Sequence, residues 1–174
     1  MEKNGYALAA WTENGQLRMV PSLVNEAAIP YRKKIDRLAN DWNVDRTDAQ
    51  EIGWLLAQSH AHEEYALFLL RVGCAKEAYE EYSNAAQVCL YCSDRLWLQG
   101  TRGDFPVLPL YHRFHAMHRK AWELTRNDPS LQFQYENGGL KGLYLWMTID
   151  ERDDDAEFEQ ILEYKRAWRF GRTA

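Results

Sequence analysis

The chain has 174 residues, 46% of them hydrophobic and 27% charged, which is enough apolar matter for one packed core. A net charge of −5 argues against nucleic acid as the main partner, since phosphate neutralisation needs clustered Lys and Arg, and 13% aromatic residues argue against a disordered chain. No apolar run approaches the ~20 residues that span a bilayer.

The start of the chain, MEKNGYALAAWTENG, lacks a basic region followed by a long apolar stretch, so no signal peptide is expected. Cys74, Cys89 and Cys92 make an odd set of thiols, which fits a reducing compartment. A cytoplasmic protein with no membrane contact is the expectation.

Residues 1–20 are the least helical part. Thr12-Glu13-Asn14-Gly15 lies between two apolar runs, and Asn-Gly in that setting signals a short β-hairpin, although Ala9 and Ala10 favour a helix. From Pro21 onward the pattern is helical. Ser22 caps a short segment that stops near Pro30, and Pro30 opens a second helix, Tyr31 to Trp42. Thr47 caps a long helix from Asp48 to Val72, with Asp48 and Glu51 in the first turn, where the helix dipole favours acids.

That helix carries two apolar stripes. Trp54, Ala57, Ala61, Tyr65, Phe68 and Val72 form one; Ile52, Leu56, Leu67 and Leu70 form the other. Such a helix packs between neighbours. Gly73 ends it in a left-handed conformation. The next helix, Ala75 to Cys92, turns Ala78, Tyr79, Tyr82, Ala86 and Cys89 to one side, so that small residues admit a close neighbour and rings fill the gaps.

A loop spans Ser93 to Phe105. A helix from about Val107 to Thr125 then buries Leu110, Phe114, Met117, Ala121 and Leu124, at spacings of four, three, four and three. Asp128-Pro129 starts a short helix that Asn137-Gly138-Gly139 stops, Leu140 to Ile149 forms another, and a last helix ends near Phe170. The whole reads as a single all-α domain over residues 1–174, an antiparallel helix-hairpin bundle.

Gly73-x-x-x-Glu77-Ala78-x-x-x-Tyr82-x-x-Ala85 resembles the turn and second helix of a tetratricopeptide repeat, with Ala66 as the small residue of the first helix. The likeness covers about residues 59–92. Ser93-Asp94 stands where that family usually has a closing proline, and no second copy recurs at the ~34-residue period. The resemblance implies tetratricopeptide-like packing and a groove, lined by first-helix residues, that binds a protein or peptide. The other meaning of the same residues is a close-packed hairpin alone. No carboxylate-clamp set is present, so no binding residue carries over from the family.

Catalytic signatures are missing from the sequence: it has no phosphate-binding glycine loop, nucleophile elbow or dinucleotide fingerprint. Cys89-x-x-Cys92 lacks a second pair to hold zinc. His112, His115 and His118 follow at three-residue steps, and successive steps rotate away from a common ion by about sixty degrees. Glu63 falls among apolar positions and needs a partner, an Arg across a helix interface or a histidine.

Two functions follow. The leading one is a non-catalytic module, free of cofactors, that binds a protein, a peptide or a copy of itself, with Tyr65, Trp97, Trp122 and Trp168 as candidate anchors. The alternative is a helical metal-dependent enzyme in which His112, His115 and Glu63 converge from separate helices. A nucleic-acid accessory role rests only on Arg32, Lys33, Lys34 and Arg37.

Overall fold

A computed structural model describes residues 10–13, 16–19, 21–41, 44–92 and 107–148. The described residues are mainly helical. Two short strands come first, β1 (Ala10–Glu13) and β2 (Gln16–Met19), paired antiparallel with Ala10 opposite Met19. Six α-helices follow: α1 (Pro21–Asn40), α2 (Asp48–Arg71), α3 (Ala75–Gln87), α4 (Leu108–Thr125), α5 (Pro129–Asn137) and α6 (Gly139–Thr148). A 3-10 turn, Val88–Leu90, extends α3. None of these helices is long and apolar enough to cross a membrane.

The expected break at Pro30 does not occur: α1 runs unbroken through it. Pro21, and not Pro30, takes the first turn, where a missing N–H costs nothing. Pro30 lies on the exposed side of α1, so the Glu26 carbonyl that loses its partner can face water.

Thr47 caps α2 as its sequence suggests, and Gln50 closes a capping box. Thr47 Oγ1 accepts from the Gln50 N–H at 3.3 Å, and Gln50 Oε1 accepts from the Thr47 N–H at 3.0 Å. At the other end Gly73 adopts φ 82°, and the Cys74 N–H reaches back to the Leu69 carbonyl at 2.8 Å. An L side chain is strained at that φ. Gly73→Ala is expected to cost about 1–2 kcal/mol in urea unfolding. A cost below about 0.5 kcal/mol would mean that the turn relaxes.

α3 lies between α2 and α4, while α1 covers α2, and α5 and α6 adjoin α4. Ala66 from α2 and Ala78, Ala85 and Ala86 from α3 are fully buried, so small side chains occupy the centre of this layer. Phe114, Leu110 and Met117 of α4 fill the remainder of the core.

The two-stripe reading of α2 needs correcting. Leu55 and Leu69, on neither stripe, are buried, and Leu67, on the second stripe, is 45% exposed. α3 ends at Gln87 instead of running on to Cys92 as a helix. The loop expected at 93–105 and the last helix lie outside the described residues.

α1 is tied to α2 by polar contacts that use much of its basic cluster. Arg32 Nε donates to Tyr65 Oη at 3.1 Å, Lys34 pairs with Glu64 at 2.7 Å, and Trp54 Nε1 donates to the Leu38 carbonyl at 2.8 Å.

Candidate functional site

Three polar or aromatic constellations lie in the layer around α4. The first joins α2 to α4. Glu63, whose side chain is 15% exposed, accepts from Arg113 at 2.9 Å and also pairs with Lys120. Arg113 Nε donates to Ser59 Oγ at 2.9 Å, and Ser59 Oγ donates to the Ala85 carbonyl of α3 at 2.7 Å. One guanidinium thus links three helices.

Burial pushes the Glu63 carboxyl up. The hydrogen bonds and positive charges of Lys120 and Arg113 outweigh that push and hold it below the ordinary value of 4.5. The result is a stably ionised carboxylate with both oxygens engaged, which makes it a poor proton acceptor.

The metal alternative needed Glu63, His112 and His115 to converge. Glu63 is committed to two cations, His112 is exposed, and His115 packs edge-on against Tyr111 and Phe114. Among the described residues no three His, Cys, Asp or Glu side chains gather as a ligand set. His60 and His62 turn apart, as helix geometry requires: His60 is exposed, 3.9 Å from Glu63, and His62 Nδ1 meets Glu81 Oε2 of α3 at 2.6 Å.

The second constellation is aromatic. His118 is buried against α5 and α6: its Nε2 lies 2.8 Å from Tyr135 Oη, and its ring stacks on Tyr144 at 3.9 Å and 2°. Burial, with a smaller contribution from His115, pulls the His118 imidazole down to about 4. Burial also pushes the Tyr135 phenol up to about 12, helped by the nearby Tyr144, Tyr79 and Glu136. Both groups are therefore neutral near pH 7.

The His118 shift sets an acid sensitivity. As pH falls from the unfolded imidazole value of 6.5 towards about 4, the unfolded chain takes up a proton that the folded chain refuses. The His118 contribution is fully present above that window and is withdrawn through it, on the order of 2 kcal/mol after allowance for local relaxation. Urea unfolding at pH 7 and pH 4.5 is expected to show this slope, flattened in His118→Phe. An unchanged slope in the variant would assign the sensitivity elsewhere.

The third constellation is the open face beside that floor. A cleft of about 690 Å³ is lined by His115, His118, Arg119, Trp122, Tyr135 and Tyr144, with Glu123 at the same wall. A second cleft of about 370 Å³ adjoins it and shares Trp122 and Tyr135. Trp122 stands between them, 41% exposed, with the Arg126 guanidinium 5.3 Å from its ring. A neutral aromatic floor with an amphipathic ring at the opening suits a partly apolar ligand held by a few polar contacts.

Of the candidate anchors, Trp122 is thus at a cleft. Tyr65 is 7% exposed and stacks with Tyr31 and Phe68, so its ring belongs to the core. Trp97 and Trp168 lie outside the described residues. Arg119, Arg126, Tyr135 and Tyr144 escaped sequence reasoning. Arg119, Trp122 and Arg126 do recur at i, i+3 and i+7, the one signal that could have grouped them. Comparison with known proteins finds no family model, no curated relative and no solved structure that matches this chain.

Proposed function

We propose that this chain is a non-catalytic binding module that holds a segment of a partner protein in the paired clefts along α4, with Trp122 as the anchor. The observation that carries this reading is the position of Trp122, half-exposed between two adjoining clefts with aromatic walls. Exposed aromatic side chains beside desolvated pockets dominate binding energy in protein interfaces. Neutrality of His118 and Tyr135 weighs against acid–base chemistry at this face, and Glu63, which lines neither cleft, is engaged by two cations.

Tetratricopeptide-like packing of α2 on α3 is part of the same proposal. The buried Ala66, Ala78 and Ala85, and Gly73 at the turn, support it. The two clefts lie along α4 and not on the first helix of that hairpin, so the proposed ligand face differs from the groove that such a repeat implies. Cytoplasmic residence is also proposed, supported by the odd count of three cysteines in the sequence.

The test is to pan a displayed random-peptide library against the full chain and measure the enriched sequences as synthetic peptides. Trp122→Ala is expected to weaken binding by roughly thirtyfold, a hot-spot loss of about 2 kcal/mol, with an unchanged melting temperature. Panning that enriches nothing, or binding that survives the substitution, overturns the reading.

A further inference from the structure

The outer face of α4 presents Arg119, Trp122 and Arg126, each exposed, at i, i+3 and i+7. At a rise of about 1.5 Å per residue, the two guanidinium-bearing positions stand about 10 Å apart along the axis, one on each side of the indole. Both arginines line the clefts that Trp122 divides, Arg119 the larger and Arg126 the smaller.

The charges on these walls are unequal in their availability. Glu136, in the smaller cleft, is paired with Lys141. Arg119, Glu123 and Arg126 have no ion-pair partner among the described residues, so two available cations face one available anion. Arg126 lies over the Trp122 ring, a contact that leaves its guanidinium N–H groups at the edge of the site. The floor adds no charge near pH 7, because His118 and Tyr135 are both neutral there.

From this arrangement we infer that the partner segment is extended and acidic, with two carboxylates about 10 Å apart flanking one apolar side chain. An extended segment of the polyproline II type advances about 3.1 Å per residue with about three residues per turn, so acids three positions apart fall on one side and match the two arginines. The segment reads Asp/Glu-apolar-x-Asp/Glu. Its carboxylates take the forked donors of Arg119 and Arg126, and its apolar side chain lies on the Trp122–Tyr135 ridge. Glu123, between the arginines, disfavours a third acid at the centre of the segment. The inference rests on the peptide-binding reading above and names the chemistry of its ligand.

The experiment uses the full chain and three short capped peptides containing Glu-Leu-Ser-Glu, Gln-Leu-Ser-Gln or Lys-Leu-Ser-Lys. Binding is followed by the Trp122 indole resonance, assigned with Trp122→Phe. The Glu peptide is expected to bind at least tenfold more tightly than the Gln peptide at low salt, and to lose that advantage as salt is raised. Arg119→Gln combined with Arg126→Gln removes the difference, and Arg119→Glu combined with Arg126→Glu transfers the preference to the Lys peptide. All three positions are exposed, and equal melting temperatures verify that the variants are folded. Equal affinity for the Glu and Gln peptides, or a preference for the Lys peptide, overturns the acidic-segment inference and leaves peptide binding standing. A chain that binds none of these peptides and enriches nothing from a random library loses both.

Discussion

Replacing Phe114 with Ala is expected to destabilise the protein by about 3–5 kcal/mol, among the largest effects of any single truncation. Phe114 is fully buried in α4, with Leu110 and Met117 also buried on the same helix, and its ring is stacked towards His118 at 6.3 Å. The loss combines the transfer energy of the removed ring with the cavity it leaves, because the small alanines of α3 cannot move in to fill it. In a domain of this size that corresponds to a fall of roughly 10 °C in melting temperature. Phe133 is the contrast: it is 72% exposed, and its truncation is expected to change stability by about 0.5 kcal/mol or less. Calorimetry on the two variants settles the matter. Similar melting temperatures would mean that the α4 core is laid out differently.

Glu63→Leu is expected to cost about 3 kcal/mol for the opposite reason, since it removes a charge and leaves another stranded. Arg113, 13% exposed, would keep Ser59 as a neutral partner and lose its counter-charge, whereas Lys120, 43% exposed, can turn to water. An unpaired buried guanidinium is costly; an apolar pair of similar volume is not. The double variant Glu63→Leu with Arg113→Met should therefore be more stable than Glu63→Leu alone. Denaturant unfolding of the single and double variants measures this directly. A double variant that merely sums the two single losses would show that Glu63 and Arg113 are not coupled, and would overturn the stranded-charge account. The pH dependence has the sign of a depressed carboxylate: the contribution of Glu63 is complete above 4.5 and is lost as pH falls through its folded value.

Features governed by neighbouring residues were legible in the sequence. Thr47 and Gly73 act within a few residues of themselves, and both do what capping chemistry requires of them. The core face of α4 was legible too, because that helix has one apolar side: Leu110, Phe114, Met117 and Ala121 are all buried, and Leu124, expected with them, is only partly so.

α2 shows why the remainder was not. Lying against α1, α3 and α4, it carries apolar residues around most of its circumference, so periodicity cannot fix its rotation. Leu69 is buried while Leu67 is half-exposed, and only the positions of the neighbouring helices decide between them. Glu63 follows the same logic. Its place among apolar residues called for a partner, and an Arg across a helix interface was one of the forms foreseen. Its identity as Arg113, fifty residues further along, depends on how α4 docks. At the candidate site, an i, i+3, i+7 row of Arg, Trp and Arg reads like any solvated helix face until α5 and α6 supply the cleft walls.

The short connection between α2 and α3 bears on the order of assembly. Only residues 72–74 separate the two helices, so closing that turn costs little chain entropy, and local contacts of this kind form early. The α2–α3 pair is the natural first structure, with Tyr79 and Tyr82 already beside the surface that α4 will cover. Docking α4 then brings Arg113 to Ser59 and Glu63, and the neutral contact between the Ser59 hydroxyl and the Ala85 carbonyl becomes part of an ion-pair network in one late step. Refolding should consequently be paced by the arrival of α4, and substitutions in the α2–α3 turn should act mainly on the rate of the step before it.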